Sequence, residues 1–310
     1  MKQKSVAVIG GGMAGIGAAR LLAEGGLRVV VFDKSRGLGG RCATKRWEGH
    51  SVDHGAQYFT MRDADFINAV RMACGADLLK IRAPIVDELG QALPNEERFF
   101  HTQGNSRLAR ALSEGLDVRT GVTIEAVEQR RVGGEAFDVI LSTAPWPQTS
   151  KLAGVPCPQN PYAPCLALLL LYEGERVGAT EQRYAISDRS GYPLAWSACE
   201  NHKPGRVVAG FTVMIVHASE AFSRARLEDN PSCWAEELRS LTEERWGIPS
   251  TAFRAMHPHR WRYARIAEKI KMPPMPEGWH FAGDLLTESR VEGAWLAGCE
   301  VARQILSGAP

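Results

Sequence analysis

Cysteine is too sparse and too scattered to build a disulfide framework: there are seven, at 42, 74, 157, 165, 199, 233 and 299, an odd number with no CxxC pair. That pattern also lacks the ligand spacing of a structural zinc site. The cysteines are expected to be reduced, mostly buried thiols of a cytoplasmic protein, with no metal site. Long hydrophobic runs are missing as well. The longest, "CLALLLLY" at 165–172, is far shorter than the roughly 20 residues of a membrane helix and reads as a buried strand. The opening "MKQKSVAVIGGGMAG" passes from two lysines into a β-branched run broken by glycines, without the apolar core and cleavage site of a signal peptide. Neither charge sign dominates: the net charge is +2, and no basic run with interleaved aromatics follows a groove-reading motif. No nucleic-acid or membrane partner is therefore expected. With 45% hydrophobic and 23% charged residues, 310 positions are enough for two globular domains, or one with an insertion.

What the chain does have begins at residue 6. Val6–Ile9 is an apolar run, followed at once by Gly10-x-Gly12-x-x-Gly15 and then by a helical pattern, with Met13 and Ala14 in its first turn, ending on Gly25 and Gly26. Gly10 permits a tight turn, Gly12 lets a pyrophosphate approach the backbone, and Gly15 lets helix and strand pack closely. The helix N-terminus offers free N–H groups and partial positive charge to phosphates. "LRVVVF" at 27–32 reads as a second strand, with Asp33 at its end to accept from ribose hydroxyls. NAD and FAD both fit this unit. The next stretch, "KSRGLGGRCATKRW", carries Lys34, Arg36, Gly39, Gly40 and Arg41. It is either a second glycine turn with guanidinium forks on a longer dinucleotide or a solvated loop, and the first option favours FAD.

These motifs resemble the FAD fingerprint of amine oxidase and glutathione reductase type flavoproteins. Several further pieces resemble the bacterial renalase group of that superfamily: "FDKSRGLGGRCATKR" (32–46), "DHGAQYFTMRD" (53–63), "GNSRLARAL" (104–112), "HRWRYAR" (259–265) and "RVEGAWLAGCEVAR" (290–303). The resemblance implies an α/β fold, in which a Rossmann-type FAD-binding domain holds an inserted α+β substrate domain on an antiparallel sheet. Residues 1–63, 97–145 and 273–310 are expected in the first and 64–96 and 146–272 in the second. It also implies contacts with FAD: Arg41 near the phosphates, Gly55, Ala56, Gln57 and Tyr58 passing the isoalloxazine, Val122 at the adenine, and Gly283 and Asp284 at the pyrophosphate and ribityl chain. A helix from about Gly293, with Val291, Glu292 and Ala294 at its start, would point at the pyrimidine edge, where flavin reduction places negative charge. No cysteine lies in "ESRVEGAWLAG", where covalent-flavin amine oxidases carry theirs, so FAD is expected to be held noncovalently.

Between these ends, 64–75, 105–115 and 231–247 have helical spacing, the last entered through Asn230 and Pro231. "LDVRTGVTIEAVEQ" and "AFDVILSTAP" read as strands joined by a short polar link at 130–135, shorter than the meander usual in renalase-like proteins. Runs from Ala163 to Val216 suggest an antiparallel sheet. In "MHPHRWRYAR" (256–265), strand alternation puts His259, Trp261 and Tyr263 on one face and the arginines on the other. This is either a flavin-facing wall with His259 or Tyr263 holding the substrate, or a half-buried strand with its arginines in water. His217 and the stretch from Trp196 to Asn201 resemble family positions near the flavin. A second GxGxxG and a CxxxxC pair are missing, which argues against the disulfide reductase type. The resemblance implies hydride transfer from a dihydronicotinamide, among them the 2- and 6-dihydro isomers of NAD(P)H, to flavin N5, with dioxygen reduced to peroxide. Oxidation of an amine and noncatalytic dinucleotide binding are the alternatives.

Overall fold

Val6, Ala7, Val8 and Ile9 are buried on both faces, as a central strand of a parallel sheet must be. In the computed structural model, which describes residues 3–94 and 96–308, Ser5–Ile9 lies at the middle of five parallel strands. Their order is Trp279–Phe281, Val139–Ser142, Ser5–Ile9, Arg28–Asp33 and Asp117–Thr120. One face of this sheet packs on the helices Met13–Glu24, Ala64–Cys74, Ser106–Leu112 and Val291–Ser307, through residues such as Val8, Ile16, Phe66, Leu108 and Ile305. The other face buries Ala7, Ile9, Phe32 and Phe137.

Six strands form a second sheet, ordered Phe253–Ile266, Tyr162–Glu173, Phe211–Ala218, Leu194–Cys199, Ala185–Ser187 and Ile85–Asp87. Its pairs are antiparallel except the last. Alternation along Tyr162–Glu173 sorts its apolar residues onto two faces. Leu166, Leu168 and Leu170 bury against Trp234, Leu238 and Trp246 of the helix Pro231–Trp246. Leu169 and Leu171 bury against Val52 and the half-buried Trp47 and Tyr58, which belong to the first unit. Each such leucine contributes about 1.5–3 kcal/mol by leaving water, so this second face is what fastens the two units together.

Three expectations shift. The strand expected over 116–129 forms only at Asp117–Thr120, with a lone bridge from Glu128 to Arg131, and the link after it is itself a small hairpin, Arg131–Val132 with Glu135–Ala136, turned on Gly133 and Gly134, both at positive φ. The last helix begins at Val291 rather than near Gly293. The helix Ala64–Cys74, expected with the substrate unit, packs Phe66, Val70 and Cys74 into the core beneath the parallel sheet.

Candidate active site

The glycines at the head of the parallel sheet define a cradle. A Cβ on Gly15 would sit 1.9 Å from the Gly10 carbonyl oxygen, so strand and helix touch there as the motif requires. At Gly12, by contrast, a Cβ would meet nothing within 4 Å. The ground above the helix N-terminus is open, and Gly12 caps that helix without a side-chain hydrogen bond, leaving first-turn N–H groups for a ligand. Met13 and Ala14 are buried in that turn. The second glycine turn docks on the first: Gly39 N donates to Gly11 O at 2.9 Å, and Gly40 (φ +55°) lies close enough that its Cβ would be 3.4 Å from the Gly12 Cα. Asp33 accepts from Gly11 N at 2.6 Å and Ser35 N at 2.7 Å, which orients its carboxylate and leaves lone pairs for a ribose. Val122 N donates to Asp33 O at 2.9 Å, placing Val122 beside the same end of the strand. Lys34 and Arg36 are exposed and, among the described residues, make no ion pair, as a solvated loop would.

Arg41 does something the sequence did not indicate. Its fork binds both oxygens of Asp284, at 2.7 and 2.8 Å, and also donates to Ala264 O at 3.1 Å. Burial works against the guanidinium charge, but the hydrogen bond and charge of Asp284 outweigh it and raise the Arg41 pKa. Ser289 Oγ adds a 3.0 Å bond to Asp284. Arg41 and Asp284, expected to contact phosphate and ribityl groups separately, thus first hold each other, with Gly283 in extended conformation before them (φ 171°). The last helix crosses the first at glycines: a Cβ on Gly298 would lie 2.0 Å from Ala14 O. The N-terminal turn of the first helix is thereby held against the middle of the last. Glu292, buried at the start of the last helix, accepts from the N–H groups of Arg62 and Asp63 at 2.6 and 2.7 Å. Thr287 Oγ1 donates to Gly293 O at 2.9 Å, while Val291 and Ala294 stay half-buried.

The segment 54–58 crosses from this cradle to the six-stranded sheet. Gly55 must be glycine, because a Cβ would sit 2.0 Å from Arg41 O. Ala56 N donates to that oxygen at 2.8 Å, and Gln57 accepts from Trp196 Nε1 at 2.8 Å. The buried Gln57 Nε2 has no partner, an orphan donor that fits a polar ring edge. Tyr58 packs 5.9 Å from Trp196. The His54 carbonyl receives two hydrogen bonds from the sheet, from His217 Nε2 and from Trp261 Nε1, both at 3.0 Å. The His54 ring stacks on Trp261 at 5.2 Å, and His259 meets both rings edge-on, at 4.7 and 4.5 Å.

His259, Trp261 and His217, anticipated from the sequence, therefore converge. Tyr263 does not join them. A bulge between the pairs Ala163–Arg265 and Cys165–Trp261 breaks the alternation, and Tyr263 packs instead on Tyr162 at 5.8 Å. Arg260, Arg262 and Arg265 bond outward, to Asp229 O, Glu228 and Glu220. Asn201 is also structural, bonded to Phe211 O and Val213 N. Burial pushes His54 down to about 3, with His259, His217 and Lys45 adding to it, and pushes His259 down to about 4, helped by His257 and Lys45. Burial likewise lowers His217. The wall is thus made of neutral imidazoles and indoles.

Behind it lies a feature with no local sequence signal. Asp53, Glu200, Lys203 and Arg206 are all almost fully buried. Lys203 Nζ reaches Asp53 at 3.0 Å and Glu200 at 2.9 Å, Arg206 binds Asp53, and Glu200 accepts from Asp53 N at 2.8 Å. Thr44 and Asn105 complete the shell around Asp53, at 2.6 and 2.9 Å. Two carboxylates and two cations from different units neutralise one another directly beside the 54–58 segment.

Residues 8–70 match the model of an NAD(P)-binding Rossmann-like domain, and residues 68–306 match that of the flavin-containing amine oxidoreductases. The chain belongs to the flavin-containing amine oxidoreductase family. The family is a flavin-containing one with FAD on a Rossmann unit, and the cradle fits that cofactor: open space over Gly12, free helix N-termini and an orphan donor at Gln57. A 4,4'-diaponeurosporene oxygenase of Staphylococcus haemolyticus (strain JCSC1435) is 32% identical over 130 residues, 42% of this chain and 24% of that one. The chain spans no more than about a quarter of the length of the curated relatives it matches first. The cyclohexylamine oxidase of Brevibacterium oxydans IH-35A has a similar fold, with a TM-score of 0.75 at 13% identity over 99% of both chains. A reduced UDP-galactopyranose mutase matches at 0.76 and 10% identity, over 99% of this chain and 96% of the other. One fold thus hosts unlike chemistries, and the site must choose between them. Among the described residues, no helix is long and apolar enough to cross a membrane and no group of His, Cys, Asp and Glu is arranged to hold a metal.

Proposed function

We propose that this family member is a renalase-like oxidase acting on a dihydronicotinamide. When bound, FAD would supply the hydride acceptor, and dioxygen would take the electron pair together with the donor's hydrogen and one proton from water to leave as hydrogen peroxide. The observation that carries the reading is the ring wall of His54, Trp261 and His259, stacked and edge-on within about 5 Å of one another. It offers a flat, orienting surface and no strong base, since both imidazoles are held neutral with low pKa values. A dihydronicotinamide needs just that: its own ring nitrogen lone pair drives hydride departure, so orientation matters more than proton abstraction.

In this reading Trp261 and His217 fix the His54 carbonyl, while Gln57, held by Trp196, turns its free amide N–H toward the cofactor ring. Glycines 10, 12, 15, 39 and 40 would cradle the pyrophosphate, Asp33 would take the ribose, and the N-terminus of Val291–Ser307 would face the ring. FAD is held noncovalently: Cys299 turns its thiol into the helix crossing, toward Gly17 O at 3.7 Å. Amine oxidation is the competing reaction in the same family. Anaerobic mixing of the holoenzyme with dihydronicotinamide isomers and with primary and secondary amines separates the two. Rapid bleaching by a dihydronicotinamide alone is expected, and bleaching by an amine alone would overturn the assignment.

A further inference from the structure

We propose that Lys45 and the Nδ1 edge of His54 form a subsite for an anionic group on the substrate, the phosphate of a dihydronicotinamide nucleotide. The inference rests on the hydride donor assigned above and adds what that donor must carry.

The hairpin of Thr44–Trp47 with His50–Asp53 has two faces. Thr44 turns to Asp53, and Arg46 turns to the Ser51 hydroxyl and Gln103 O. Alternation sends Lys45 and Trp47 the other way, the side on which Val52, paired with Lys45, buries against Leu169 and Ile215 of the six-stranded sheet. Trp47 lies there 6.3 Å from His257, two residues along the strand from His259. Lys45 is half-buried over this wall, and its charge is felt at His54, His257 and His259. No carboxylate meets it: among the described residues its ammonium has neither an ion pair nor a hydrogen bond. The nearby Asp53 is spent on Lys203 and Arg206.

A second group points to the same missing partner. His54 is 8% exposed, and its Nδ1, although buried, has no hydrogen bond. In the tautomer that carries its proton on Nδ1, His54 presents an N–H with no acceptor; that group and the unpaired Lys45 ammonium, beside one stack of rings, then lack the same thing, an oxyanion with several lone pairs. A substrate ammonium would meet like charge instead. Trp47, His257, His259 and Trp261 are all partly exposed, so the ring face over the buried His54 nitrogen is open to a ligand.

The test compares dihydronicotinamide riboside, which is uncharged, with the mononucleotide of the same isomer, by anaerobic reduction of the holoenzyme. The quantity read is the ratio of their apparent Kd values, which cancels general damage to the site. In the native protein the mononucleotide should bind at least about tenfold tighter. Lys45→Met should collapse that ratio toward one, and Lys45→Arg should keep most of it. If both compounds reduce the flavin with no preference, or the preference survives Lys45→Met, the subsite is refuted while the hydride-donor assignment stands. If neither compound reduces the flavin, that assignment fails, and inorganic pyrophosphate decides the subsite. A saturable, Lys45-dependent change in the bound-FAD spectrum supports it, and no change overturns it.

Discussion

Replacing Lys203 by methionine probes the buried ion cluster most directly. Lys203 Nζ lies 3.0 Å from Asp53 and 2.9 Å from Glu200, in a site closed to water. Without it, two carboxylates face Arg206 alone, and Arg206 is committed to Asp53, Ser51 O and His101 O. Breaking a buried pair in this way costs about 3–5 kcal/mol. At about 2–4 °C per kcal/mol, or somewhat less for a longer chain, the holoenzyme should melt on the order of 10 °C lower. Adding Glu200→Gln leaves Asp53 with Arg206 as a neutral pair, and should restore more than half of the loss. The sign of the pH dependence is specific too. Burial raises the Glu200 pKa, with Asp53 adding to it against the pull of Lys203 and Arg206. Removing Lys203 raises it further, so Glu200 takes up a proton on mild acidification and the defect of the variant shrinks as pH falls. Asp53 behaves oppositely: Lys203 and Arg206 overcome burial and lower its pKa, so its contribution in the native protein persists until pH drops below the ordinary carboxylate range. Urea midpoints at several pH values measure all three effects. A single variant within about 1 kcal/mol of the native protein, or a double variant no better than the single, would refute the reasoning.

Gly298→Ala places a Cβ 2.0 Å from Ala14 O, forcing the two crossing helices apart at about 1–3 kcal/mol. It should lower both the melting temperature and the flavin retained through gel filtration. Asp33→Asn leaves one side-chain acceptor for the N–H groups of Gly11 and Ser35. The unsatisfied donor costs about 1–3 kcal/mol of stability, and the amide group has no spare acceptor for the ribose, a loss of similar size that equilibrium dialysis should read as FAD binding roughly 5- to 150-fold weaker. His259, held near 4 in the folded protein against an ordinary 6.5, is protonated first in the unfolded chain. Stability should therefore fall as pH drops from about 6.5 toward 4, and His259→Gln should flatten that slope in urea midpoints.

The parts of this structure that were legible in the sequence are those settled by nearest-neighbour sterics. Gly10, Gly12 and Gly15 announce a strand, a turn and a helix because the decisive close approach, Gly15 against the Gly10 carbonyl, lies within the motif itself. Alternation likewise set His259 beside Trp261. It failed at Tyr263, because the bulge that displaces it is a property of the pairing with Tyr162–Glu173, not of the strand's own residues. For Arg41 the sequence showed the type of group, a guanidinium fork suited to an oxyanion, but not that Asp284, 243 residues away, would occupy it. The resemblance quoted "DHGAQYF" without giving His54 or Asp53 a role. Nothing local marks Asp53 or Glu200 among 35 acidic residues as the ones taken out of water, since that depends on Lys203 and Arg206 arriving from another unit.

The bond between Arg41 and Asp284 also orders events during synthesis. The floor of the cofactor cleft is translated well before its clamp, its edge strand Trp279–Phe281 and the helix that crosses Ala14. A nascent chain can therefore form the glycine turns early but cannot retain FAD until those late segments emerge. Chains truncated before residue 279 should therefore remain colourless.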